Sequence, residues 1–368
     1  MLELLDKAEQ LVPTGRTCGH IALMTKTMQA MLLTGFGGPD NLRYTEVAVP
    51  SLGPDEALVR VRAAAANRVE IDIRAGVSNL GPTLPHVMGP DGAGEVVALG
   101  GPAPDIAVGD PVVPHTMVSC GDCANCRAGR DNVCTRIRIL GSTVWGTHAE
   151  YVRSPIRRLV KLPRGLPFEV VAAGNKFCTA WEALAVTAGL RAGETVLINS
   201  AGGGVGSCAV QVARHLGARV IAAVGAASKM AQARANGADE VINYAGTNLT
   251  DAVRALTGGL GVDVALDIAG GTLFHASLDS VADGGRLALV GAHGGKDVNI
   301  DLTNLFRRHI AVLGCGRWTK AISEQVMGLL ASGALKPSIF KVLPLSALNE
   351  AHDLMTRRAV NGRIVLIP

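Results

Sequence analysis

Aromatic residues are scarce, 3% of the 368 positions, while hydrophobic residues reach 48%, which is ample for a folded core. No uninterrupted apolar run is long enough to cross a bilayer, which excludes a spanning segment of that kind. Neither sign of charge dominates. The 35 basic and 31 acidic residues leave a formal net charge of +4, spread without long runs, so there is no electrostatic case for nucleic acid or an anionic membrane as partner. The opening Met1-Leu-Glu-Leu-Leu-Asp-Lys7 carries acids where a secretory signal carries positive charge, so a cytoplasmic location is expected. Residues 1–28 read as an extension before the fold: a docking helix, a frayed arm or an upstream start. A chain of this length favours two domains.

What the sequence does have is a cysteine pattern. Of eight cysteines, Cys120, Cys123, Cys126 and Cys134 stand at C-x2-C-x2-C-x7-C spacing. Zinc prefers a tetrahedron of thiolates, and four sulfurs close the coordination sphere, so one structural Zn2+ is expected in a lobe spanning 119–135. Gly121 and Gly129 fall where that loop needs tight turns. Cys18, Cys178, Cys208 and Cys315 are dispersed, which suits a reducing compartment better than a disulfide framework.

From about residue 29 to 160 the text is β-rich. Ala57–Arg62 alternates at period two, and short strands are expected at 94–100 and 108–113. From about 176 the rhythm becomes strand, glycine turn, helix, repeated, with strands at 195–199, 219–224, 240–243, 262–267, 286–290 and 309–313 and a helix over 207–216. That alternation predicts an α/β chain with a doubly wound parallel sheet. After Gly316 come one amphipathic helix, a break at Pro337 and a closing strand at 362–367, expected to pack back on the first domain.

Ser200-Ala-Gly-Gly-Gly-Val-Gly206 lies after a strand and before a helix, where a dinucleotide's pyrophosphate meets a helix N-terminus. Gly203, Gly204, Val205 and Gly206 form its cofactor side. About twenty residues on, an acid would grip the ribose hydroxyls of NAD. Here the text is Val224-Gly-Ala-Ala-Ser-Lys229. With no carboxylate to repel it, a 2′-phosphate is accommodated by Ser228 and Lys229, which favours NADP(H).

The chain resembles the medium-chain dehydrogenase/reductase superfamily, the zinc alcohol dehydrogenase and quinone oxidoreductase relatives. The resemblance rests on Gly89-Pro-Asp-Gly-Ala-Gly-Glu-Val96, the cysteine lobe, Gly146-Thr-His-Ala-Glu-Tyr151, Thr179-Ala-Trp-Glu-Ala-Leu184, the glycine turn and Gly237–Tyr244. It implies a GroES-like catalytic domain (29–175 and 317–368), a Rossmann domain (176–316) and an active site between them. It further implies a homodimer paired through the strand at 309–313. Arg68 matches a pyrophosphate-binding arginine, Thr179 and Val205 match nicotinamide contacts, Ala292 and Leu313 match positions near its carboxamide, and Tyr244 matches a tyrosine near the 2′-phosphate.

The positions matching the family's catalytic-zinc ligands are Asn67, Pro90 and Asn175. Proline offers no donor and amides are poor zinc ligands, so structural zinc is expected without catalytic zinc. Glu70 and Asp91 remain beside them as hydrogen-bonding neighbours. Hydride transfer needs the charge that develops on the substrate to be stabilised. Without a metal, an enone or a quinone is an easier acceptor than an isolated carbonyl. Asn67, His148 and Thr116 are the candidate catalytic residues. An NADP(H)-dependent carbonyl reductase or alcohol dehydrogenase is the alternative. A nucleotide-binding regulatory protein with little turnover is the alternative of another class.

Overall fold

A computed structural model describes residues 26–368. The extension read over 1–28 therefore lies, up to residue 25, outside the described residues, as does Cys18.

Beside a three-stranded sheet of Leu42–Ala48, Thr27–Leu33 and His86–Val87, the β-rich part has a larger sheet of seven strands. Its order is Leu159–Lys161, Pro111–Pro114, Asp91–Leu99, Glu56–Ala65, Arg363–Ile367 and Ile339–Pro344, with Tyr151–Pro155 also paired to Glu56–Ala65. The period-two text is visible in that central strand: Val59 and Val61 are buried, while Arg60 and Arg62 face out, where Arg62 meets Glu95 of the next strand at 2.7 Å. Gly94 lies opposite Val61 in the register. A Cβ at Gly94 would stand 1.9 Å from the Arg60 carbonyl oxygen, so only glycine lets the two backbones pair this closely.

The second half is a six-stranded sheet in the order Glu240–Asn243, Arg219–Val224, Thr195–Ile198, Val262–Asp267, Val281–Leu289, Ala311–Gly314. Every neighbouring pair is parallel. The order reverses between Thr195–Ile198 and Val262–Asp267, the switch point at which such sheets take their ligands. The helix after the first strand spans Gly204–His215, three residues earlier than expected at its start, because the turn glycines themselves enter the first helical turn.

The carboxy-terminal segment holds more than the sequence suggested. Helix Lys320–Ala331 and closing strand Arg363–Ile367 are present, but so are strand Ile339–Pro344 and helix Leu348–Thr356. The extra strand is an edge strand with five of six residues exposed, so it carries no alternation to detect. The closing strand pairs antiparallel with Glu56–Ala65, Val365 opposite Ala65.

One core joins Phe177, Trp181, Ile198 and Val264 to Met327 and Leu330 of helix Lys320–Ala331. A second lies under the GroES-like sheet, around Val59, Val61, Leu159, Ile364 and Leu366. Each such aliphatic side chain contributes about 1.5–3 kcal/mol on burial. Gly94→Ala is expected to lower stability by at least about 2 kcal/mol through overpacking, read as a urea midpoint shift. Gly109→Ala has open space around the new methyl and is expected to lose only about 1 kcal/mol, from its positive φ.

Candidate active site and zinc lobe

The four sequence-marked cysteines converge. Their sulfurs lie within 4.8 Å of one another, with Cys120–Cys134 and Cys123–Cys126 at 3.5 Å and Cys120–Cys126 and Cys123–Cys134 at 3.9 Å. A tetrahedron with Zn–S bonds of about 2.3 Å has edges of about 3.8 Å, so the cluster fits a structural zinc. Gly121 and Gly129 both take positive φ, and a one-turn helix, Ala124–Arg127, lies within the loop. Backbone N–H groups of Cys120 and Arg136 donate to the Cys134 sulfur. Backbone donors pull the Cys123 thiol down to about 5, whereas burial pushes Cys126 up to about 11. A divalent cation overturns that imbalance by taking all four as thiolates. Arg157 holds the lobe by donating to the carbonyls of Ser119 and Cys120. Buried Arg158 reaches Asp131 and lies 2.8 Å from His115 Nδ1.

The glycine turn sits at the switch point, with Ser200 itself left-handed at φ 52. A Cβ at Gly206 would stand 2.3 Å from the Ser200 carbonyl oxygen, and one at Gly204 would meet the Arg363 guanidinium at 3.1 Å. This is a cradle that tolerates no side chain, with a cation beside a helix N-terminus, and it fits a pyrophosphate. Asn199 and Asp267 brace it: the Asn199 amide donates to Asp267 and to Ser277 Oγ, and accepts from the Ile268 N–H. Neither was marked from the sequence. Val205, in the first turn of helix Gly204–His215, and Thr179, on the earlier helix Lys176–Trp181, are half-buried, while Ala292 is exposed and Leu313 half-buried on the Rossmann edge. Arg68, at the start of helix Arg68–Ala75, is exposed.

Ser228 and Lys229 line a cleft of about 420 Å³ with Gln232, Ile339, Phe340, Arg358, Ala359 and Asn361. Lys229 runs across Gly202, and its Nζ donates to the Val360 carbonyl. Burial and the nearby Arg358 lower its pKa. The Tyr244 hydroxyl lies against Gly225, 2.7 Å from where a Cβ would be. Arg358 was not marked, since it enters this cleft from a part of the chain more than a hundred residues away.

Within the part read as GroES-like, one buried polar network joins Thr116 to Asn67 by hydrogen bonds, with His148 standing near its end. Thr116 Oγ1 donates to the Pro90 carbonyl and lies 3.3 Å from Asn175 Nδ2. The same Asn175 amide donates to Asp91 at 2.7 Å. Asp91 is wholly buried and also meets Lys176 at 3.0 Å and Arg363 at 2.8 Å. Arg363 donates onward to Asn67 Oδ1, and Asn67 Nδ2 donates to Glu70 and to the Ala65 carbonyl. Glu70 ends the chain between two histidines, His352 at 3.1 Å and His148 at 3.7 Å. Burial opposes ionisation of Asp91, yet Lys176 and Arg363 outweigh it and hold the carboxyl below the ordinary range. Burial also opposes ionisation of Glu70, and the facing histidines outweigh it in the same way. His148 is pushed down by burial despite Glu70, and neither of its ring nitrogens has a hydrogen-bond partner. Among the described residues, the four cysteines are the only cluster of three or more His, Cys, Asp or Glu arranged to hold a metal. Asn67 and Asn175 are committed to this network instead. His86 and His115, each lowered to about 4 chiefly by burial, stand apart from it.

A phosphate cradle at a sheet switch point, beside a β domain with a thiolate lobe, defines a two-domain dinucleotide-binding protein. Residues 53–164 match the alcohol dehydrogenase GroES-like domain and residues 204–332 the zinc-binding dehydrogenase domain. The quinone oxidoreductase of Pongo abelii is 31% identical over 349 residues, 93% of this chain and 98% of that protein. The NAD-dependent alcohol dehydrogenase of Sulfolobus acidocaldarius is 34% identical over 92% of this chain and 99% of that protein. A crystal structure of an NAD-dependent alcohol dehydrogenase superposes with a TM-score of 0.88 at 40% identity, covering 93% of this chain and 100% of that one. The chain belongs to the medium-chain dehydrogenase/reductase superfamily and is an oxidoreductase of that type. Quinone and alcohol chemistry are both represented among its relatives, so the choice between them falls to the site.

Two outcomes follow from this geometry. Metal analysis is expected to give about one zinc per chain, lost in Cys134→Ser with a lower melting temperature. Asp91→Asn leaves two buried cations uncompensated and is expected to cost about 3–5 kcal/mol near neutral pH. The folded pKa of Asp91 lies below its unfolded value, so its contribution is present above the ordinary carboxylate range and is lost as pH falls through the folded value. Urea melts of the variant and the parent should therefore converge in acid.

Proposed function

We propose that the protein is an NADPH-dependent reductase of activated C=C bonds or quinones that works without a catalytic zinc. The observation that carries this reading is the chemistry at the three family ligand positions. Pro90 has no side-chain donor, and the amides of Asn67 and Asn175 are spent on Glu70, Asp91 and Arg363. Such a site stabilises charge through hydrogen bonds and fixed cations, which suits an acceptor that spreads its charge over a conjugated system.

NADPH is favoured over NADH by the absence of a carboxylate at Val224 and by the company of Ser228, Lys229 and Arg358 around one cleft, with Tyr244 beside Gly225. Guanidinium, ammonium and hydroxyl groups match a 2′-phosphate. The turn Gly203–Gly206 and Arg68 take the pyrophosphate, and Thr179, Val205, Ala292 and Leu313 take the nicotinamide, which supplies the hydride when bound. Substrate contacts are assigned to Asn67, Thr116 and His148. The unpartnered ring nitrogens of His148 also favour a second reading, a carbonyl reductase or alcohol dehydrogenase, in which that imidazole meets the substrate oxygen. A nucleotide-binding protein without turnover is the third. The exposed edge strand Ala311–Gly314 supports a homodimer built by strand pairing, and a cytoplasmic location accords with the cysteine usage.

The test compares NADPH and NADH as reductants of methyl vinyl ketone, 1,4-benzoquinone and benzaldehyde. NADPH is expected to be preferred by at least about tenfold in kcat/KM, with the enone or quinone ahead of the aldehyde. Arg358→Ala should weaken NADPH binding about tenfold, the loss of one charge-assisted hydrogen bond, and change NADH binding less than about twofold. Equal losses for the two cofactors would sink the 2′-phosphate assignment, and aldehyde preference would move the carbonyl reading to the front.

A further inference from the structure

Lys176 follows Asn175, one of the three family ligand positions, and opens helix Lys176–Trp181. Its side chain is only 15% exposed. Its Nζ stands 3.0 Å from one oxygen of Asp91 and 3.3 Å from the other, and makes no other hydrogen bond among the described residues. An ammonium has three donors, and a single carboxylate faces at most two of them. Arg363, 5% exposed, holds the same carboxylate at 2.8 Å. Two cations therefore share one anion in a largely dry site. Arg363 also donates to Asn67 Oδ1 and stands beside Gly204 of the phosphate cradle, with its Nε unpartnered. Lys176 has no such second partner. The cluster of Lys176, Arg363 and Asp91 thus carries one net positive charge, the balance of a site waiting for a second anion, since a buried charge without a full partner is costly.

We propose that Lys176 is the oxyanion-binding cation of this active site, with its free N–H holding the oxygen on which charge collects during reduction. This rests on the reductase reading above and names the group that replaces the metal's electrostatic role. For an enone, the hydride of the reduced nicotinamide ends on the β-carbon, the cofactor is oxidised, the C=C pair moves toward the carbonyl and the carbonyl pair moves to oxygen. The Lys176 ammonium holds that enolate oxygen, and a proton taken up from water at the α-carbon restores the ketone. Asp91 positions the ammonium, and Asn175 positions Asp91. The substrate class implied is small and carbonyl-bearing, with its oxygen on the Asn175 side of the cleft.

The probe is 4-nitrophenol, a stable enol whose visible absorption reports its ionisation, titrated into the parent protein with NADP+ present. An opposite charge within about 4–6 Å lowers a bound acid's pKa by about 1–3 units, so the parent should ionise the bound phenol at least about 1 unit below its free value. Lys176→Met should abolish that shift and weaken phenolate binding at least about tenfold, while Lys176→Arg, which keeps the charge, retains part of both. NADP+ affinity in Lys176→Met should change less than about fivefold. kcat/KM for the best enone or quinone should fall about 10²–10³-fold, the usual loss for one oxyanion donor. Should Lys176→Met not fold, the comparison of Lys176→Arg with Lys176→Gln carries the same readout. An unshifted phenol in the parent, no phenol binding there, or the same shift in Lys176→Met would overturn the assignment. A shifted phenol that depends on Lys176, without turnover of any enone or quinone, would keep the cation's role and reject the reductase reading instead.

Discussion

The wholly buried carboxylate of Asp91 is the point on which the candidate site depends. Three segments meet on it: its own strand, the Asn175–Lys176 corner, and the closing strand through Arg363. A carboxylate so deep is tolerable only because two cations and an amide meet it. Each of those partners is then fixed in place by the same bonds. Arg363 is thereby aimed at both Asn67 and the glycine turn, so the glycine cradle and the polar centre share one support.

That arrangement contrasts with the zinc lobe. The lobe is assembled from a single loop, whose four thiolates need only two glycine turns and a short helical turn to converge. The Asp91 centre is instead assembled from segments far apart in the chain, residues 67–70, 91, 175–176 and 363. The relatives include both alcohol and quinone enzymes, and this chain combines a four-cysteine lobe with a hydrogen-bonded centre at Asn67, Asp91 and Asn175. Positive charge at this centre is carried by the side chains of Lys176 and Arg363.

The sequence put forward Asn67, Thr116 and His148; in the structure Asn67 and Thr116 are joined through Asn175, Asp91 and the unmarked Arg363, and His148 stands 3.7 Å from Glu70. Lys176 drew no reading from the sequence, Arg363 had only a place in the closing strand, and His352 drew none. Each acquires its meaning from partners 85, 272 and 282 positions away. Glu70 and Asp91 were recognisable as hydrogen-bonding neighbours because they adjoin the ligand positions. Arg358 stayed hidden for the same reason as Lys176, since its cleft is formed only when the carboxy-terminal segment returns over the Rossmann helix.

The amino-acid sequence by itself determined what local physics decides. The zinc lobe follows from cysteine spacing, the phosphate turn from glycines between a strand and a helix, the parallel sheet from repeated alternation, and the missing ribose acid from one strand end. These are short-range rules, in which a few consecutive residues limit the backbone. Tertiary structure alone decided which charges meet. Pairing in a buried site depends on loop closure over hundreds of residues and on the direction of side chains after packing, neither of which leaves a periodic trace. The edge strand Ile339–Pro344, the Asp91 cluster and the histidines around Glu70 therefore exist only in the folded chain.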